Sequence, residues 1–178
     1  MKVIMYHYVQ DYDSKFPNFR FLKFDNFKKQ LDFFKMNYDF VSREEWLNFT
    51  TNGVFPDKKG KVVLTFDDGL KCHYKYVFNE LEKRNLFGIF FIPTFPYTNH
   101  QILDVHRVHL LCGAFSGKSL FDVVLKLVSD DMILENRIEE FKSKTYISQN
   151  NNEGVTDFKK LLNYFIDYKY RTAVIDRL

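Results

Sequence analysis

The chain has 178 residues, 46% hydrophobic and 19% aromatic, with seven Gly and four Pro. This excludes a disordered or collagen-like chain and suits one ordinary domain with its own core. The net charge of +3 comes from scattered basic residues, so nucleic acid is not an expected partner. Cys72 and Cys112 form neither a CxxC knuckle nor a disulfide framework, and free thiols are expected. The amino-terminal MKVIMYHYVQ holds too short an apolar run for a signal peptide. The longest apolar stretch, around Leu86 to Ile92, falls short of the ~20 residues that cross a bilayer. The expectation is a cytoplasmic protein with no membrane span, in which the Asn48-Phe49-Thr50 sequon carries no glycan.

In chain order, Val3 to Val9 is β-branched and aromatic, which predicts a first strand buried on both faces with His7 near its C-terminal end. Gln10 to Lys23 reads as a long loop that packs onto the fold. Phe24, Phe27, Leu31 and Phe34 recur at helical spacing, with Asp25 as N-cap, and predict a helix to Met36. Tyr38 to Val41 reads as a short strand, and Ser42 with Glu45 as a capping box opening a second helix through Trp46 and Phe49. After a polar turn, Gly53 to Gly60, Lys61 to Phe66 is the strongest strand in the chain, and Asp67, Asp68 and Gly69 end it abruptly. Leu70 to Asn85 predicts a helix with Tyr74, Val77, Phe78 and Leu81 on one face, and Phe87 to Ile92 the next strand. Two buried strands joined by one helix argue for parallel pairing, with functional groups at the strands' C-terminal ends.

Beyond Pro96 the pattern becomes helical, over Val105 to Leu111, Leu120 to Val128, Ile133 to Phe141 and Phe158 to Tyr168. Residues 96–178 therefore read as a helical insertion or cap, with a flexible turn at Asn150, Asn151, Asn152 and Gly154.

Adjacent carboxylates at a strand end point different ways, because successive side chains alternate. One can bind a metal while the other takes a proton from the bound water; the plainer alternative is a pair capping the helix that follows. LTFDDG (Leu64 to Gly69), after a first strand carrying Tyr6 and His7 and before the Phe90 to Ile92 strand, resembles the polysaccharide deacetylase family, the NodB-homology or carbohydrate esterase 4 enzymes. The resemblance covers about residues 1–95. It implies an α/β fold, a partial deformed (β/α)-barrel of NodB type, carrying the helical insertion or cap in its second half. It further implies Asp67 as the catalytic base, Asp68 as a metal ligand and His7 facing the pocket. The implied reaction is metal-dependent removal of an acetyl group from an N-acetylated sugar in surface glycan biosynthesis, with zinc as the expected divalent metal.

The family's paired-His motif, its later Arg-Pro-Tyr segment and its Leu-His segment are missing, so an incomplete catalytic domain is expected. His106 and His109, at i and i+3 in DVHRVHLL, share a helix face and would bring the ligands to three with Asp68; packing or solvent-facing roles are the alternative. His73 and His100 are weaker candidates. GAFSGKS (Gly113 to Ser119) has one residue too few for a phosphate loop and reads as a helix start. A haloacid-dehalogenase-like phosphatase is the alternative enzyme, although in that family one residue stands between the two Asp, whereas Asp67 and Asp68 are contiguous. A non-catalytic half-barrel that binds a sugar or a partner chain is the alternative outside enzymes. An open half-barrel leaves an exposed edge, and the stripe Phe158, Leu161, Leu162 and Phe165 also wants covering, so a homodimer or a complementary chain is expected.

Overall fold

Every residue from Val62 to Phe66 is buried, which a strand achieves only with neighbours on both edges and cover on both faces. In the computed structural model of the chain, which describes residues 1–56, 60–134, 136 and 154–178, this strand, β4, is the centre of a three-stranded parallel sheet. Its neighbours are β1 (Lys2–Tyr6) and β5 (Gly88–Phe90), in the order β1-β4-β5. Tyr6 is in register with Phe66, and Phe66 with Phe90, so all three strands end at the same edge. The sheet is open, and no closed barrel forms among the described residues.

The first strand is shorter and less buried than its composition predicts. Among the described residues β1 pairs only with β4, and Val3 and Met5 are each 60% exposed while Tyr6 is buried. Alternation on an edge strand turns every second side chain outward, so β-branched content alone does not mean burial on both faces. Val9 belongs to a separate short strand, β2 (Val9–Gln10), paired in parallel with β3 (Leu22–Lys23), inside the segment expected as loop.

Helix α1 (Phe24–Asn37) buries Phe27 and Leu31 against Tyr6, Leu64 and Phe66. Lys23, not Asp25, is its N-cap; Asp25 sits in the first turn, 2.7 Å from Lys28. Tyr38 to Val41 makes only an isolated bridge, Phe40 to Val62. Ahead of α2 (Arg43–Asn52), Ser42 Oγ accepts from the Glu45 amide and Glu45 Oε2 from the Ser42 amide, closing the capping box.

The helix after β4 departs from its predicted face. His73–Phe78 is wound as a π-helix before α3 (Asn79–Arg84). The wider turn brings His73, Val77, Glu80 and Leu81 inward and leaves Tyr74 and Phe78 exposed, where a 3.6-residue period had placed both in the core.

Two compact units are distinguished: Met1–Tyr12 with Arg20–Thr94, and Asp13–Phe19 with Phe95–Leu178. The second unit contains α4 (Phe95–Asn99), α5 (Asp104–Ala114), α6 (Gly117–Leu125), α7 (Val155–Lys160) and α8 (Tyr168–Asp176). Phe158, Leu161 and Leu162 are buried there with Val108, Val124 and Val174. That stripe is covered inside its own unit and does not wait for a partner chain. The helix expected over Phe158 to Tyr168 breaks at Ile166, which turns extended and bridges Ile133, so Ile133 does not begin a helix either. Residues 137–141 of that predicted helix, and Asn150 to Asn152, lie outside the described residues. Cys72 and Cys112 are buried free thiols. No helix among the described residues is long and apolar enough to cross a membrane.

Gly154 is a tightly constrained backbone position in this unit. Its φ is +77°, and a Cβ there would lie 2.6 Å from the Gly117 carbonyl carbon and the Lys118 nitrogen. Gly154→Ala is expected to lower stability by about 2–4 kcal/mol, from the left-handed backbone and the clash together. Urea denaturation followed by circular dichroism would measure it.

Candidate active site

Because β1 and β4 end in register, the residues that follow them emerge together. The Asp67 amide donates to the Tyr6 carbonyl at 3.0 Å, and the Phe91 amide to the Phe66 carbonyl at 2.9 Å, so the DDG segment leaves the sheet between its two neighbours. Asp68 (φ 78°) and Gly69 (φ 58°) are both left-handed. Asp tolerates this conformation better than most residues, and Gly adopts it without a Cβ penalty. A Cβ at Gly69 would lie 3.2 Å from Ile92 Cγ2, so the turn is tight as well as strained.

His7 and Asp68 are brought together, with His7 Nε2 3.7 Å from Asp68 Oδ2, both partly open to solvent. Asp67, adjoining them, is half-buried. His73 lies behind this group, 3% exposed, its ring centroid 5.6 Å from that of Phe66 and 6.0 Å from that of Phe90. Its Nε2 carries the ring proton and donates to the His7 carbonyl at 2.5 Å, which fixes the backbone that presents the His7 imidazole. Its Nδ1 is buried with no hydrogen-bond partner. Burial therefore holds His73 below the ordinary histidine range, more than the nearby Asp68 and Asp67 charges raise it. Tyr8 belongs to the same neighbourhood: burial, then the Asp68 charge and Cys72, push its phenol far above the usual value. An apolar cleft of about 230 Å³ opens beside the turn, lined by Gly69, His73, Tyr74, Phe78, Phe90 and Ile92.

The lowered His73 value has a signed consequence. Between its folded and unfolded pKa values the unfolded chain binds more protons, so stability rises with pH. The contribution is fully present above the ordinary histidine pKa of ~6.5 and is lost as pH falls below it. Thermal melts from pH 7.5 down to pH 5 are expected to show a falling midpoint, with a shallower fall in His73→Gln.

His106 and His109 lie on α5, in the second unit, whereas His7, Asp67 and Asp68 belong to the first. Zinc takes at least three protein donors. The His7 and Asp68 pair offers two, and among the described residues no group of three or more His, Cys, Asp or Glu side chains is placed to hold a metal ion.

No protein-family model matches the chain, and no curated protein does. Solved structures similar to it include those of deacetylases. IcaB from Ammonifex degensii is 26% identical over 51% of this chain and 37% of its own, with a TM-score of 0.42. BC0361, a polysaccharide deacetylase from Bacillus cereus, is 25% identical over 71% of this chain and 36% of its own, with a TM-score of 0.39. A de-N-acetylase from Aggregatibacter actinomycetemcomitans is 20% identical over 99% of this chain and 74% of its own, with a TM-score of 0.46. The chain thus spans little more than a third of IcaB and of BC0361.

Proposed function

We propose that residues 1–95 are the N-terminal half of a deacetylase-like βα barrel and residues 96–178 its helical insertion, and that the chain takes part in hydrolysing the acetamide of an N-acetylated sugar. The observation that carries this reading is the Asp67-Asp68 pair at the C-terminal end of the central parallel strand, with His7 3.7 Å from Asp68. Cleaving an acetamide requires a proton to leave the attacking water and another to reach the departing amine. Asp67 is the base in this reading, and Asp68 holds negative charge beside the His7 imidazole. The stacked, exposed rings of Tyr74 and Phe78 give a sugar ring an apolar face to lie on. Zinc dependence, the metal role of Asp68, His106 and His109, a place in surface glycan biosynthesis, a cytoplasmic setting and pairing with a second chain through the open sheet edge are further parts of the proposal.

That no third donor joins His7 and Asp68 among the described residues favours a second reading, a half-barrel that binds the sugar without turning it over. Acetate release from N-acetylglucosamine oligomers in zinc-containing buffer, followed alongside chemical-shift changes, separates the two. Slow acetate release with shifts at His7, Asp67 and Asp68 is expected. Shifts without release would mark the non-catalytic reading, and neither would refute both.

A further inference from the structure

Arg171, on α8, is a buried cation without a carboxylate partner among the described residues. It is 8% exposed; its Nη2 donates to the Asn163 carbonyl at 2.8 Å, its guanidinium lies 3.9 Å from the centroid of the Tyr168 ring, and its Nε has no hydrogen-bond partner among the described residues. Arginine does not shed its proton, so this charge stays in place. A buried charge left unpaired is costly.

The side chain lines a cleft of about 450 Å³ in the second unit, within the size range of small-molecule sites. Two carboxylates line the same cleft, but both are engaged. Arg107 bonds Asp104 at 3.1 Å and also bonds Asp176, and Thr172 Oγ1 donates to the other Asp104 oxygen at 2.9 Å. Arg107 bonds both carboxylates, and the four charges of the cleft sum to zero; what sets Arg171 apart is that its guanidinium bonds neither carboxylate. Phe95, Ile102 and Tyr168, all exposed large apolar side chains, complete the walls.

We propose that this cleft binds a small ring-bearing molecule through an oxyanion, carboxylate or phosphate, seated on the Arg171 guanidinium, with the apolar walls taking the ring. A fork of N–H donors already held by a backbone carbonyl and an aromatic face is preorganised for an oxyanion. The site stands on the second unit alone and does not depend on the deacetylase reading.

The test is calorimetric titration of the whole 178-residue chain with D-glucuronate, D-glucose 1-phosphate, inorganic phosphate and, as the uncharged control, D-glucose. Saturable binding of one or more of the three anions is expected, with none for glucose; the tighter of glucuronate and the phosphates assigns carboxylate or phosphate as the source. Arg171→Met is expected to weaken that binding about 10- to 100-fold, the share of a charged hydrogen-bonded contact, while leaving the melting temperature unchanged or higher. Arg171→Lys keeps the charge but loses the fork, and should weaken binding in the same direction. If Arg171→Met does not fold, the Lys variant carries the comparison. Absence of saturable binding by all three anions, equal binding of glucose, or anion binding unchanged in the folded Arg171 variants would overturn the proposal.

Discussion

Phe66→Ala is expected to destabilise the first unit by about 3–5 kcal/mol, the range for truncating a fully buried aromatic. Phe66 is 0% exposed and sits where four rings meet. Tyr6 stacks on it at 5.4 Å and Phe90 at 4.9 Å, one from each neighbouring strand, while Phe27 meets it edge-on at 6.1 Å and His73 at 5.6 Å. Removing the ring opens a cavity facing both edges of β4 and the two helical segments above it, so little of it can close by relaxation. The same ring supports the residues that carry the site, because Asp67 follows it directly and His73 packs on it. Chemical denaturation should show the loss, and chemical-shift changes at His7 and Asp68 should accompany it even where the chain remains folded. A loss under 1 kcal/mol would mean that the four rings repack around the gap and that the strand end is not held by this cluster.

The same cluster explains which elements were legible in the chain. β4 reads as a strand because its buried environment admits apolar, β-branched and aromatic residues at nearly every position. The capping box at Ser42 and Glu45 is a local device, complete within four residues, and local spacing reveals it. β1 was overextended because an edge strand can carry β-branched residues on its solvent face, and only the partner strand decides which face that is. The helix after the DDG turn went wrong for another local reason. A π-turn inserted at His73–Phe78 rotates the buried face, so the apolar Tyr74 points out and the polar His73 points in.

For the candidate site, the contiguous Asp67 and Asp68 were visible because a strand end cut off by two acids and a glycine is unusual in sequence. In the sequence His73 is only a weaker ligand candidate, and Tyr8 carries no mark at all. His73 matters through a bond to a backbone carbonyl 66 positions away, which no residue spacing encodes. Its one signal was the four-residue step to Val77, the face that the π-turn brings inward. Arg171 was equally hidden, since a basic residue on a surface-patterned helix gives no sign that its charge is buried without a carboxylate.

On the proposed reading, with Asp67 as the base, Asp67→Asn is expected to lower acetate release by about 10²- to 10⁴-fold, the usual share of a general base. The lower end corresponds to ~2.7 kcal/mol on the barrier. Asparagine has the same shape and leaves the Asp67 amide bonded to the Tyr6 carbonyl at 3.0 Å, so the strand end keeps its geometry and the melting temperature should hold. The substitution removes only the ability to take a proton from water. It also leaves the His7 and Asp68 pair intact, and sugar binding should persist as chemical-shift changes at those two residues. Asp68→Asn makes the contrast: it keeps the carboxylate of Asp67 but removes the negative charge 3.7 Å from His7 Nε2, and should displace the His7 ring resonances in NMR spectra. A variant lacking the Asp67 carboxylate that releases acetate as fast as the parent chain would place the base elsewhere, and the paired acids at the end of β4 would then be a helix-capping turn.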